Sequence, residues 1–424
     1  MTDTTNEIAI IGAGIAGLTL GLCLHEKGIS HRIYENAPEI SPLGVGINIL
    51  PHATKILHDL GVGEALAAVG VQTREASFFN RFGQEIYTDP LGVAAGYETP
   101  QYSIHRGDLQ LALRDAYVGR AGTDHLVTDA GCTGFEQDAG DVRVNFVKTS
   151  TGEALPQVTA RAIIGCDGIH SVIRKQIHPD EGDPRYSGYN MWRGVTVCEP
   201  VLSGATMVRA GWLATGKMVI YPIRDNVDGE GSQLMNWVAE IETPITKDKR
   251  DWNKPGRLED VLPAFADWHF DWLDVPDMIK RSDIILEFPM VDQDPLEFWT
   301  DGRVTLMGDA AHPMVPRGSN GAGQAVVDAR CMADLLGQSD DIETVFTSFE
   351  AERLDTTSRV VLTNRVSPPD IVLKEVFDRT GDKPFDNIED VISADELAGF
   401  QQRYKEVAGY DLKTLMAKSA ALQE

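Results

Sequence analysis

Apolar residues in this chain cluster into short runs, three of which (Ile8–Ile11, Ala162–Cys166 and Arg303–Met307) run into glycine or aspartate, and the first run sets the pattern. Glu7–Ile11 reads as a short buried strand, Gly12, Ala13 and Gly14 as a tight turn, and Gly17 with Leu18, Leu22 and Leu24 as an apolar helix. Ile33–Glu35 is a second strand. Gly44 and Gly46 mark a loop ahead of a helix starting near Pro51, and Ser77–Tyr87 reads as a hairpin around Asn80–Gly83. Arg106 stands before a helix that carries Leu109 and Leu113 on one face. Val142–Val147 alternates as a half-buried strand does, and Thr149–Gly152 is a turn. Ala162–Cys166 and Arg303–Met307 are again continuous, buried strands.

Between about Pro184 and Ile285 the texture changes. The extended runs Met191–Val197, Ala205–Leu213, Met218–Ile223 and Leu234–Ile241 predict an antiparallel sheet, hence a second domain inserted into the first. Within it, Gly211–Met218 has the outline of a P-loop. Met218 stands where Ser or Thr is required, however, and a strand follows in place of a helix, so the stretch reads as a hairpin turn. Helices over about Ala322–Leu336 and Ile342–Leu362 follow, and residues 366–424 read as a charged, amphipathic helical appendage.

The opening run is a full dinucleotide fingerprint, because Glu35 lies 18 residues past Gly17. Gly12 permits the turn, Gly14 lets the backbone approach a pyrophosphate, and Gly17 lets helix and strand pack closely. The helix N-terminus offers free N–H groups and a positive dipole end to phosphate. Glu35 is placed to accept from a ribose, which argues mildly against a 2′-phosphate. By itself the stretch leaves FAD, NAD and NADP open.

Composition narrows the class. With 42% hydrophobic residues over 424 positions, the chain is long enough for two or three packed units. A net charge of −26 disfavours nucleic acid and anionic membranes as partners. The five cysteines, Cys23, Cys132, Cys166, Cys198 and Cys331, form no CxxC pair, which argues against zinc or a disulfide framework and for a reducing compartment. The acidic start MTDTTNE is no signal peptide, and Ile8–Leu24, with four glycines, is better explained as strand, turn and helix than as a membrane span. The expectation is a cytoplasmic enzyme, monomer or homodimer, with no metal.

Three strand-to-loop junctions, GAGIAG, CDG and GDA, each sit at the C-terminal end of a buried strand, where open α/β sheets bind ligands. In their order and spacing the chain resembles the single-component FAD-dependent aromatic hydroxylases (group A flavoprotein monooxygenases), over about residues 7–365. PLGVGIN, PQYSIHRG, MWRGV and GDAAH look most like the branch acting on phenazines. The resemblance implies a Rossmann-like α/β FAD-binding domain (1–75, 100–183 and 285–365), an inserted antiparallel-sheet substrate domain (76–99 and 184–284) and the C-terminal helical region. It implies that Gly12, Gly14, Ala16, Gly17 and Glu35 hold the ADP half of FAD, and that Arg106 reaches the cofactor from its helix start. Asp167 and Gly168 match the DG motif, associated with both FAD and NAD(P)H. Gly308 and Asp309 match the GD motif, whose aspartate meets the ribose. Gly46 and the loop Pro316–Gly323, including Gly321 and Ala322, would face the isoalloxazine ring; Asn320 and Gly323 depart from the family's commoner residues there.

The implied chemistry is hydroxylation of an aromatic or N-heteroaromatic compound by O2 on FAD, with NADH or NADPH as a transient donor. Oxidative decarboxylation is implied where the attacked carbon bears a carboxylate. The cofactor carries that reaction, so the protein has to position and to exclude water; accordingly there is no GxSxG and no HExxH. Pro316, Arg317 and Gly321 are the candidates at the reacting end. Trp192, Tyr221, Met235 and Trp237 lie on substrate-sheet strands and are candidates for an aromatic pocket, with core packing the competing role. Arg193 and Arg317 are candidates for a substrate carboxylate. His312 reads as shaping the GD turn, and Cys166 as a small buried residue. A reductase, epoxidase or halogenase on the same scaffold is the alternative enzyme, and a sensor without turnover the alternative class.

Overall fold

Ile8–Ile11 has no polar side to offer water, and it runs through the middle of a six-stranded sheet. In the computed structural model, which describes residues 7–42, 44–138, 140–243 and 254–421, the sheet order is 300–301, 304–306, 162–165, 8–11, 31–34, 126–127. Residues 1–6 of the acidic start lie outside the described residues. Ile8–Ile11 pairs in parallel with Ala162–Gly165 on one side and His31–Tyr34 on the other, and Ile163 faces Val304 in the next parallel pair. The strands leading into GAGIAG, CDG and GDA are therefore neighbours, and their loops emerge at one edge. Helices Ile15–Glu26 and Gly321–Leu336 cover the sheet through a core that includes Leu18, Leu22, Val326 and Met332.

A second sheet of eight strands contains Arg185–Cys198, Thr206–Trp212, Gly216–Arg224, Gln233–Glu242, Lys254–Pro255 and Ile285–Asp292, together with the hairpin Glu75–Phe79/Glu85–Pro90 at its end. Most neighbours are antiparallel, but Thr206–Trp212 and Glu75–Phe79 run parallel. These two strands are distant in sequence, so no short turn dictates antiparallel pairing. The turn between Trp212 and Gly216 joins antiparallel strands, as the hairpin reading of GWLATGKM expects. Gly46 differs from expectation: it opens a short strand, Gly46–Ile49, paired with Gln101–His105.

Strand alternation gives the eight-stranded sheet two different faces. One carries Trp192, Met218, Ile220 and Trp237 into a core shared with Phe265, Trp268 and Met278. The other carries Arg193, Arg209, Lys217, Tyr221 and Glu240 toward Gly46, the loop at Arg317 and the C-terminal region. Helices Ile371–Thr380, Ala394–Ala408 and Leu412–Ala421 close the chain. No helix among the described residues is long and apolar enough to cross a membrane.

Candidate active site

The three motifs touch. Gly12 has φ +101, and a Cβ there would stand 2.5 Å from the carbonyl oxygen of Cys166, so only glycine seats GAGIAG against CDG. A Cβ on Gly17 would lie 2.0 Å from the Gly12 oxygen, which is the close packing the fingerprint requires. A Cβ on Gly308 would meet the Ala16 Cβ at 3.1 Å, bringing GDA onto the first helix. Gly14 has no heavy atom within 4 Å of where its Cβ would be, and it precedes the N-terminus of a 12-residue helix. An open cradle of backbone N–H groups beside a vacant volume fits a pyrophosphate. Glu35 accepts from the N–H groups of Ala13 and Ala37, each at 2.7 Å, and so fixes the turn. Asp309 and Arg106 are exposed, and Asp309 has no hydrogen bond among the described residues. These residues fit FAD.

Other carboxylates in the motifs are already engaged. Asp167 accepts from the Ser171 hydroxyl at 2.5 Å and from Val172 N–H at 2.8 Å, capping the helix that follows, and burial pushes its carboxyl up. Gly168, at φ +73, leaves open space beside it. Sequence reasoning missed Arg174, the last residue of CDGIHSVIR, whose guanidinium donates to the carbonyls of Ala310 and Ala311 at 2.9 and 2.8 Å and so ties the second motif to the third. His312 bonds the buried Asp328 at 2.6 Å, and Asp328 also takes Arg353 at 2.7 Å. Burial opposes ionisation of Asp328, but His312 and Arg353 hold its pKa down at about 2. His312 thus braces the GD turn.

Gly46 and the loop after Val315 meet different neighbours. A Cβ on Gly46 would press within 2.7 Å of Tyr221 and Ile223, so the space this glycine leaves is filled by the inserted sheet. Asn236 and Arg193 complete that seam, bonding Gly46 N–H and carbonyl at 2.8 and 2.6 Å. This is where Tyr221 and Arg193 are spent. In the loop, Pro316 is exposed, Ser319 takes a left-handed φ of +53, and Gly321 begins a 16-residue helix with only Asp309 and Met314 at van der Waals distance. At Gly323 a Cβ would crowd His52, so that glycine serves packing. Arg317 points inward, to Glu240 at 3.1 Å, and lies over the Tyr189 ring.

Behind the loop lies a buried charge cluster. Glu240 also takes Lys217 at 2.5 Å, and Lys217 and Arg209 share Asp370, which is wholly buried. Burial works against the Asp370 charge, yet the two cations hold its pKa at about 2.

Beside Gly318 and Ser319 is a cleft that opens to solvent. Leu50, Phe78 and Met207 give it apolar walls, Gln101 and Arg209 polar ones, and Gln401, Lys405 and Tyr410 of the C-terminal region close it. Trp192 and Trp237 do not line it, a correction to the aromatic-pocket expectation. Trp237 is fully buried on the far face, its indole N–H donating to Ser282 at 2.8 Å, and Trp192 and Met235 share that core. Tyr221 does not line the cleft either. A sequence signal for the charged face was available: Arg209 interrupts a largely apolar strand, and Lys217 lies at the start of the next.

The family model for the FAD binding domain matches residues 5–362, and the chain belongs to that family. It is 43% identical over 368 residues to the phenazine 1,6-dicarboxylic acid hydroxylase PhzS of Lysobacter antibioticus, covering 86% of this chain and 90% of that one. It is 34% identical to the 3-amino-4-hydroxybenzoate 2-monooxygenase PtnB3 of Streptomyces platensis, over 79% of this chain and 80% of that one. Its fold is that of a salicylate hydroxylase in a substrate complex, with TM-score 0.73, 22% identity and 97% of each chain covered. The Klebsiella pneumoniae HpxO complex with FAD and uric acid matches at TM-score 0.72 and 22% identity, over 96% of this chain and 95% of that one. The chain is thus a FAD-dependent, NAD(P)H-consuming monooxygenase of the aromatic hydroxylase type. FAD, when bound, supplies the activation of O2, and the residues above would bind and orient it.

Proposed function

We propose that this enzyme hydroxylates a planar N-heteroaromatic carboxylate of the phenazine kind, with loss of the carboxylate where that group sits on the attacked carbon. The observation that carries this reading is the cleft beside Gly318 and Ser319, apolar on its broad walls and bearing Arg209 and Lys405. Likeness to the Lysobacter phenazine 1,6-dicarboxylic acid hydroxylase supports it. In this reading Gly12, Gly14, Ala16, Gly17, Glu35 and Arg106 hold the ADP half of FAD, and Asp309 takes a ribose. Gly308, Gly168 and Asp167 frame the approach, while Pro316, Gly321 and Ala322 face the ring and Gly323 packs on His52 behind them. Pro316 and Gly321 stay as positioning groups at the reacting end, with Arg317 beneath them. The cofactor domain comprises 1–75, 100–183 and 285–365, the substrate domain 76–99 and 184–284, and 366–424 the third unit. The protein works in the cytoplasm as a monomer or homodimer, its five cysteines all free.

Turnover of phenazine-1,6-dicarboxylate under ¹⁸O2, beside a panel of hydroxybenzoates and hydroxypyridines, tests this. One labelled oxygen atom in the phenazine product is the expected result. Label in water alone, for every aromatic that speeds NAD(P)H oxidation, identifies an oxidase or reductase; label only in a benzenoid product rejects the heteroaromatic substrate.

A further inference from the structure

The family model stops at residue 362, yet the cleft is closed by residues beyond it. We propose that Lys405, on the helix Ala394–Ala408, takes the carboxylate of the aromatic substrate, with Asp89 as its counter-ion in the free enzyme. The proposal rests on the aromatic hydroxylase reading above and names the residue that selects a carboxylated ring.

The helix explains why a lysine is there. Leu397, Gln401, Tyr404 and Ala408 form its buried stripe, and Lys405 flanks that stripe. Its side chain is only 14% exposed, and lysine is seldom so withdrawn without a partner. The partner is Asp89, on the strand Glu85–Pro90, at 2.7 Å and 9% exposed. Both residues line the cleft.

The other charges facing the cleft single out this lysine. Arg209 is held from several directions, donating to Asp370 and to the Arg317 carbonyl and lying against the Met207 sulfur. Lys405 has Asp89 alone as an ion-pair partner among the described residues. A single-partner ammonium on a flexible stem can exchange one carboxylate for another, whereas a guanidinium fixed by several contacts cannot turn without breaking them. The wider balance also favours an incoming anion. Arg209, Lys217 and Arg317 face Asp370 and Glu240, three cations against two carboxylates, and Lys405 with Asp89 adds one of each. Buried positive charge in surplus is costly until a counter-ion arrives. A substrate carboxylate supplies it. Lys405 then holds the carboxylated end of the ring against the C-terminal wall while the remainder lies toward Gly318 and Ser319.

The test uses the FAD-loaded enzyme, its K405Q, K405R and D89N variants, and matched probes: phenazine-1,6-dicarboxylate with phenazine, and 3-hydroxybenzoate with phenol. Dissociation constants come from perturbation of the flavin absorbance, and KM and kcat from stimulated NAD(P)H oxidation. K405Q is expected to weaken the carboxylated probes at least tenfold, through KM and not kcat, and to leave the uncharged probes unchanged. K405R is expected to restore most of the loss, and D89N to tighten the carboxylated probes. Equal weakening of both members of a pair, no weakening, or a wild type that binds no carboxylate better than its uncharged partner overturns the assignment. If K405Q does not fold, D89N decides alone: unchanged or weaker carboxylate binding rejects it. Binding of 3-hydroxybenzoate but of neither phenazine sinks the phenazine reading and leaves Lys405 standing.

Discussion

Glycine does different work at Gly14, Gly17 and Gly46. At Gly14 it leaves the space ahead of the helix open, at Gly17 it admits a backbone oxygen, and at Gly46 it admits side chains of the eight-stranded sheet. The sequence pattern separates the first two, since the fingerprint places them relative to a strand and a helix. It is blind to the third, because Tyr221 and Ile223 arrive from a strand some 175 residues away, a separation read from their numbering. Asp309 is the residue whose role is most directly open to measurement. It is exposed and without a hydrogen bond among the described residues, so the apo protein does not use it for folding. Asp309→Ala is expected to weaken FAD binding by about tenfold to a hundredfold, the range for a lost charge-assisted hydrogen bond, and to leave the thermal midpoint of the FAD-free protein within a degree or two. Fluorescence titration with FAD reads the first quantity. Unchanged affinity would remove the ribose role.

Elements were largely legible where period and punctuation agree. Val142–Val147 is a strand with those bounds, and the helix expected over Ala322–Leu336 starts one residue earlier, at Gly321. The C-terminal region was legible as helices but not as a wall of the cleft beside Gly318. Its anchor is Asp370, directly after Pro368-Pro369, and that residue gives no sequence signal of reaching Lys217, 153 residues back. With Asp370 neutral, Lys217 and Arg209 would lose a shared buried counter-ion, and breaking a buried pair costs about 3–5 kcal/mol. Asp370→Asn is therefore expected to lower the free energy of urea unfolding by roughly that amount, with earlier proteolysis after residue 366. A loss below about 1 kcal/mol would mean that the C-terminal helices are held by their apolar contacts alone.

At the scale of the whole molecule, buried titratable groups set the response to pH, the acids below about pH 4. Asp328 and Asp370 are held at about 2 in the folded chain against an ordinary 3.8. A carboxylate with a depressed folded pKa stabilises above its unfolded value and loses that contribution as pH falls through the folded one. The thermal midpoint should thus start to decline below about pH 6.5, where buried His31, its pKa pushed down to about 4, resists the proton that the unfolded chain takes up, and fall steeply between about pH 4 and 2, and Asp370→Asn should blunt that last fall. Asp167 works the other way: burial raises its pKa, so protonating it relieves a cost and slightly offsets the loss. Calorimetric scans across this range check the slope, and a flat profile down to pH 2 would contradict the buried-pair account.

What this sequence determined alone is local and periodic: which segments are strands or helices, where a glycine must turn the backbone, and which junctions follow buried strands. Those features depend on neighbours within a few residues, so they survive without knowledge of the fold. Only the tertiary structure decided which side of each strand the chemistry uses. Trp192 and Arg193 are adjacent in sequence yet point to opposite faces, one into a closed core and the other onto Gly46. Nothing in their order says which face is the core, because that is settled by what packs there: Phe265 and Trp268 on one side, Gly46 and the C-terminal region on the other.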